Sequence, residues 1–312
     1  MLTTEHVVRV LLPIGKVLIP IGLGLFLRSI RLFGDDEGAM LRKFVVRFTV
    51  PIFVVFSLCE AKRESIAAIM PMTAALVLMS LALFFVGWGA ACLLKEGPER
   101  AAVHACITFG NYGWMGLGVA QALLGDSGSQ RVVYFFLLWW PVFYGLGLPI
   151  GRIHVGKQKG GIPLRRTIAI AAPPIIAVFV GLALNLCSVR LPPLATEIFK
   201  PFGDMTVPLV LLSVGMMLDV TRVRGEVRPA LLVSAVTLVI GPVIGWVLAV
   251  LLTRDLVSWQ VVILEGAMPV ATVTPLLEEN YEMDKDLVGA AIVLSTILSL
   301  VTLPIIAALI MG

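Results

Sequence analysis

The sequence predicts an all-α integral membrane protein: ten transmembrane helices in two inverted five-helix repeats, with interrupted helices 4 and 9 crossing each other. Three observations predict it: the composition, a regular series of apolar spans, and two breaks at matching places in the two halves. Of the 312 residues, 59% are hydrophobic and only 14% charged, with a mean hydropathy of +0.99. Soluble domains carry roughly 45–50% apolar and about 25% charged residues. Ten helices of about 20 residues each leave room only for short loops and tails. A soluble enzyme, a secreted disulfide scaffold and a nucleic-acid-binding factor are excluded, and the net charge of +4 is read as loop asymmetry.

Taken in order, the apolar spans fall near 8–27, 44–59, 66–94, 101–124 and 132–153, then 167–187, 199–218, 229–252, 258–279 and 286–311. Arg9 and Lys16 interrupt the first run, which predicts a retained span rather than a cleaved leader. Alternate loops divide Lys and Arg fifteen to six, the smaller set being Lys62, Arg63, Arg131, Arg190, Lys200 and Arg254. By the positive-inside rule the larger set is cytoplasmic, so both termini lie outside an inner membrane. Cys59, Cys92, Cys106 and Cys187 lack metal-site spacing and read as packed free thiols.

Residues 1–155 and 156–312 are expected to be the two repeats. Thr49-Val50-Pro51 recurs as Thr206-Val207-Pro208, an offset of 157. The same offset sets Gly110-Asn111-Tyr112 of span four on Ala267-Met268-Pro269 of span nine. Five spans per repeat force the second copy to insert upside down, a plan shared by many secondary transporters. Pro51 and Pro208 are expected to bend their helices.

Span four carries Gly110, Asn111, Gly113, Gly116 and Gly118 at mid-membrane depth, and span nine carries Pro269 and Pro275. Glycine holds a helix poorly and proline removes a backbone donor, so both spans should break. Exposed backbone at that depth is tolerated only where it is buried in protein or lines a wet cavity. The crossing ends would present free N–H groups and partial positive charge, a setting for an anion, with the Thr274 hydroxyl capping a half-helix that begins at Pro275.

Several of these residues also carry a family resemblance. Ala267-Met268-Pro269, the Leu277-Glu278-Glu279-Asn280-Tyr281 run and Leu294-Ser295-Thr296-Ile297-Leu298-Ser299 resemble the carboxy-terminal signature of the auxin efflux carrier family, and Gly110-Asn111-x-Gly113 resembles its first crossover. The family includes plant auxin carriers and bacterial permeases assigned to malonate and related acids. The resemblance covers essentially the whole chain. It implies a scaffold of the helices near 8–27, 44–59, 167–187 and 199–218, a transport domain of the others, elevator-type alternating access and a homodimer. Tyr112 stands where Thr or Ser is frequent, and Gly118 where a proline often follows, so the pocket differs from that of the auxin carriers. The long central hydrophilic loop of those carriers is missing.

Ionisable residues inside spans are functional candidates because burying them is costly. Glu265 and Lys16 sit at similar depth from the same side, as a possible charge pair. The more distantly similar bile acid and sodium symporters place a glutamate before the second crossover and an asparagine at the first. Glu265 and Asn111 match that layout, so coupling to sodium or to a proton is expected there, with no cofactor. His104 reads as a packed residue, Trp139 and Trp140 as helix packing, and Arg47 as a headgroup-reaching side chain.

The expectation is a secondary-active or facilitative carrier of a small organic anion, a mono- or dicarboxylate. Gly110, Asn111, Tyr112, Gly113, Trp114, Met268, Pro269, Val270 and Thr272 are its candidate binding residues. The half-helix ends and Asn111 would hold the carboxylate; Tyr112, Trp114 and Met268 would shape its apolar surroundings. The alternatives are a sodium-coupled symporter of a larger, bile-acid-like anion and a membrane enzyme acting on a lipid.

Overall fold

The computed structural model describes residues 4–61, 67–156, 164–218, 225–279 and 281–311. Lys62, Arg63, Lys157, Lys159, Arg222 and Arg224, counted above among the loop charges, lie outside them, as does Asn280. In chain order the helices are α1 (Thr4–Ser29), α2 (Asp35–Phe44), α3 (Val50–Cys59), α4 (Ile69–Ala91), α5 (Pro98–Thr108), α6 (Leu117–Phe135) and α7 (Trp139–His154). There follow α8 (Leu164–Leu186), α9 (Pro193–Asp204), α10 (Thr206–Met217), α11 (Val227–Ala235), α12 (Gly241–Leu252), α13 (Leu256–Gly266) and α14 (Lys285–Met311). π-helical turns at Val45–Thr49, Tyr112–Gly116 and Val236–Ile240 join α2 to α3, lead into α6, and join α11 to α12.

The protein is an all-α integral membrane protein. Among the described residues, Ile69–Ala91, Tyr112–His154, Pro193–Met217, Val227–Leu252 and Lys285–Met311 are helical stretches long and apolar enough to cross a bilayer. Large apolar side chains such as Ile19, Phe85, Leu251 and Leu309 lie exposed on helix surfaces, as a lipid-facing surface requires.

The repeated Thr-Val-Pro marks a helix irregularity each time. Pro51 has no N–H for the carbonyl of Arg47, and the chain widens into the π-helical turn just before it. Pro208 likewise has none for Asp204, and the helix is interrupted at Met205 between α9 and α10.

Two expectations about helix ends need correcting. Arg131, assigned to an outer loop, lies inside α6, 8% exposed, with its guanidinium carbon 6.0 Å from the Tyr134 ring centroid. Gly125, at φ 65° and ψ −154°, breaks the helical geometry inside α6, so the chain turns where span four was expected to end, and Arg131 lies in the helical stretch that follows the turn. Lys200, also assigned to a loop, sits in α9, which Pro193 starts earlier than hydropathy places it. Its Nζ is 2.9 Å from Glu60 Oε2. Of the four cysteines, expected to be packed, Cys106 is buried and Cys59 half-buried, while Cys92 and Cys187 are exposed.

The chain divides into two compact units. The first comprises Met1–Met70, Gly113–Leu137 and Pro163–Met217. In it α1 packs on α10 at backbone contact: a Cβ on Gly24 would meet the Leu212 carbonyl oxygen, and one on Gly215 the Ile21 carbonyl oxygen. Small residues of this kind let membrane helices approach closely. α3 packs on α8, where the Asn185 amide donates to the carbonyls of Leu58, Cys59 and Ala61 at 3.0, 3.1 and 2.7 Å and closes the end of α3.

The second unit comprises Pro71–Tyr112, Leu138–Ile162 and Leu218–Gly312. α12 packs on α13 at Gly241 and Gly266, each of which would lay a Cβ on the other's carbonyl oxygen. α14 packs against α11 and α5, and α5 also meets α7. Asp255 caps α13 through Ser258 N at 3.0 Å, and Asp284 caps α14 through Leu287 N at 3.0 Å.

Candidate functional site

The site is built where α5 and α13 stop. Phe109 leaves α5 in an extended conformation (φ −116°, ψ 108°), and the Thr108 hydroxyl donates back to the His104 carbonyl at 2.8 Å. α13 ends at Gly266, because Pro269 cannot donate and disfavours helical geometry in the residue before it.

The two severed segments then pair with each other. Asn111 N donates to the Pro269 carbonyl at 2.7 Å and Ala271 N to the Phe109 carbonyl at 2.8 Å. These two bonds flank Gly110 and Val270, which form an isolated antiparallel bridge. Gly110 and Val270 thus form the closer, non-hydrogen-bonded type of antiparallel pair. A Cβ on Gly110 would run into the Tyr112 ring. Val270 N donates to the Ser295 hydroxyl of α14 at 3.1 Å, and Ser295 donates in turn to the Ile292 carbonyl at 3.3 Å. Backbone unpaired at membrane depth is therefore satisfied within the protein.

This pairing alters one part of the sequence-based picture. The N–H groups of Asn111, Tyr112, Val270 and Ala271 already have protein acceptors. Span nine does not resume as an α-helix: Thr274–Glu279 is a six-residue 3₁₀ helix. The Thr274 hydroxyl caps nothing; it turns back and donates to the Ala271 carbonyl at 2.8 Å. The symmetric pair of α-helical N-termini expected from sequence is thus realised on one side only, where Tyr112–Gly116 leads into α6.

What the crossing holds in place of free N–H groups is a pair of polar side chains. Asn111 is 1% exposed and Glu265 fully buried. Both amide atoms of Asn111 and both carboxylate oxygens of Glu265 lack a hydrogen-bond partner. Buried polar groups left unmet cost about 1–3 kcal/mol each, more when charged.

Of the other candidates, Gly110, Tyr112, Met268, Pro269, Val270 and Thr272 are all buried in the same unit. Gly113 and Trp114 belong to the first unit, where both are half-buried. Lys16 is exposed on α1 of that first unit, and Arg47 is exposed as well. Trp139 is packed, and its packing partners are the break itself: Tyr112 edge-on at 5.4 Å and Phe109 at 5.9 Å, with Phe143 stacked behind at 5.7 Å.

Sequence reasoning missed Ser295 as a structural partner of the crossing. It also missed Thr296, whose buried hydroxyl has no hydrogen-bond partner. Both sit in the 294–299 run quoted for the family resemblance, which was the signal available.

A family model described as membrane transport protein matches residues 9–151 and 165–307. An uncharacterized transporter of Methanothermobacter thermautotrophicus is 27% identical over 298 residues, 93% of this chain and 95% of that protein. An uncharacterized transporter of Methanocaldococcus jannaschii is 24% identical over 299 residues, 92% and 94% of the two chains. The uncharacterized transporter YfdV of Escherichia coli K12 is 22% identical over 303 residues, 95% of each.

Proposed function

Because the chain belongs to the membrane transport protein family, that of the auxin efflux carriers, we propose that it carries a small organic anion, a mono- or dicarboxylate, across the inner membrane. The observation that carries this reading is the Asn111 amide, buried at the crossing of two interrupted segments with its hydrogen-bonding atoms unmet. An amide N–H₂ offers two donors, the complement of a carboxylate. Tyr112, Met268 and Thr272 line the same crossing, and Trp139 and Phe109 give it an aromatic backing.

Glu265 favours coupling to a cation over plain facilitation. A carboxylate buried without a partner is costly and repels an anion, so its charge is met by a sodium ion or a proton. The fit is chemical: sodium takes oxygen ligands, and the Glu265 carboxylate and Asn111 Oδ1 are unmet buried oxygens. Held by these oxygens, a sodium ion would offset the Glu265 charge.

Alternating access is of the elevator type in this reading. Support comes from the division of the chain: α1–α3, α6 and α8–α10 belong to one unit, and the paired ends at 109–112 and 267–271, with α4, α5, α7 and α11–α14, to the other, so span four is divided between the units at Tyr112. The carrier works as a homodimer with both termini outside the cytoplasm, as the family resemblance and the loop charges lead one to expect.

Thermal unfolding of the purified protein with a panel of mono- and dicarboxylates, in sodium and in potassium, tests the reading. A ligand that binds only the folded state raises the melting temperature. The expected result is stabilisation by at least one carboxylate in the wild type and a clearly smaller shift at the same concentration in Asn111→Leu. An undiminished shift in Asn111→Leu, or no shift with any carboxylate, overturns it.

A further inference from the structure

Away from the crossing, the second unit holds two histidines that the proposed transport chemistry leaves unused. His104 of α5 and His154 at the end of α7 are 0% and 8% exposed. His104 Nδ1 lies 2.9 Å from His154 Nε2, and His104 Nε2 lies 2.8 Å from the Phe84 carbonyl of α4. Gly87 allows this: a Cβ there would press on the His104 ring at 3.0 Å. One imidazole thus ties α5 to both α4 and α7.

The protons in this chain are fixed by elementary bonding. A carbonyl only accepts, so His104 Nε2 carries a hydrogen. In the neutral ring His104 Nδ1 is then an acceptor, and His154 Nε2 must donate to it. A first added proton is accommodated at His154 Nδ1, or shared across the Nε2–Nδ1 contact, and the N–H···N bond survives. A second proton would set two N–H donors against each other at 2.9 Å, and the contact cannot persist.

We propose that His104 and His154 form a proton-operated clamp that holds α5 against α4 and α7 and loosens the crossover when the pair becomes doubly protonated. The mechanical link is short. The His104 carbonyl accepts the Thr108 hydroxyl at 2.8 Å, and the next residue, Phe109, accepts Ala271 N across the bridge. Releasing His104 therefore releases the anchored end of the severed segment.

Charged groups stand near the clamp. The Arg100 guanidinium is held by the Ala91 and Cys92 carbonyls at 2.9 and 3.2 Å. Glu96 lies 3.4 Å from Arg100. Among the elements packed on α5 the remaining ionisable groups are Glu99 and Cys106 of α5 itself, Tyr144 and Arg152 of α7, Arg228 of α11, and Asp284, Lys285 and Asp286 at the start of α14, while α4 has none. By loop charge this end of the unit faces the cytoplasm, so the clamp draws its protons from that side.

The chain contains three histidines, so ¹⁵N-histidine labelling of the intact protein gives a readable titration without knowledge of the substrate. The expected result is two coupled rings taking up protons in separate steps, with His104 Nε2 protonated throughout. Two independent single-step titrations near the ordinary 6.5 overturn the proposal. Hydrogen exchange supplies the second readout: corrected for intrinsic chemistry, exchange at residues 109–111 should rise about tenfold on acidification through the second step. In His154→Gln, whose amide still donates but cannot gain charge, that rise should vanish; a rise of the same size in the variant also overturns the clamp.

Discussion

Ser295 offers the sharpest local test of how the crossing is held. Its hydroxyl accepts from Val270 N at 3.1 Å, at the bridge with Gly110, and both residues are buried. Ser295→Ala removes that acceptor and leaves a backbone donor stranded where no water reaches. The Ile292 carbonyl loses the Ser295 hydroxyl as a donor as well, which adds little because it accepts a bond made at 3.3 Å. The stranded donor costs about 1–3 kcal/mol. At 1.4 kcal/mol per tenfold, local opening around Val270 should become roughly 5- to 150-fold more frequent. Hydrogen exchange resolved to the Val270 amide reads this directly. Ser295→Thr keeps the hydroxyl and should restore most of the protection. Unchanged protection at Val270 in Ser295→Ala would refute the reasoning, because the crossing would then be held by something other than this bond.

Three further outcomes follow from particular contacts. Gly215→Ala forces a Cβ onto the Ile21 carbonyl oxygen and should lower unfolding stability by about 1–3 kcal/mol, whereas Gly22→Ala, with open space around it, should be neutral or slightly stabilising; thermal melts of the two variants compare them. Asn111→Leu removes an amide with no protein partner, so the melting temperature without ligand should hold or rise while carboxylate affinity falls about 10- to 150-fold, the loss of one hydrogen bond to a charged group. Burial and the neighbouring Asp284, Glu99 and Asp286 hold the Glu226 carboxyl above its ordinary 4.5. A raised acid contributes stability below its unfolded value and loses it as pH rises through the folded one. Glu226→Gln should therefore raise the melting temperature near neutral pH and leave it unchanged near pH 4; a stabilisation at both pH values would contradict this.

The legible parts of this fold are those in which one residue type dictates a backbone event. Pro269 cannot donate and Gly110 holds a helix poorly, so the breaks in spans four and nine are readable from sequence, and so is their meeting at a polar centre. Glu265 and Asn111 stand out for the same reason, because polar groups in apolar spans are expensive. The illegible parts depend on partners far apart in the chain. His104 and His154 are 50 residues apart, and neither carries a local sign of the other. Ser295 looks like any small hydroxyl residue on an apolar helix until Val270 N arrives beside it. Hydropathy ended span four at the Gly125 turn but did not show that helix resumes before Arg131, and so left Arg131 in a loop. Thr274-Pro275 carries a helix-start signature, yet the Thr274 hydroxyl bonds backward and only a 3₁₀ helix forms. Such signatures propose a cap, and the tertiary surroundings decide where the hydroxyl points.

The central claim is that the crossing of the two severed segments carries a carboxylate through the membrane. Counterflow is the measurement closest to it: vesicles reconstituted with the protein are preloaded with an unlabelled carboxylate, and uptake of the radiolabelled acid is followed with no net driving force. A transient accumulation of label in wild-type vesicles, absent in Asn111→Leu, is the predicted result. Equal traces from wild type and variant, or equilibration without overshoot for every carboxylate tried, would contradict it.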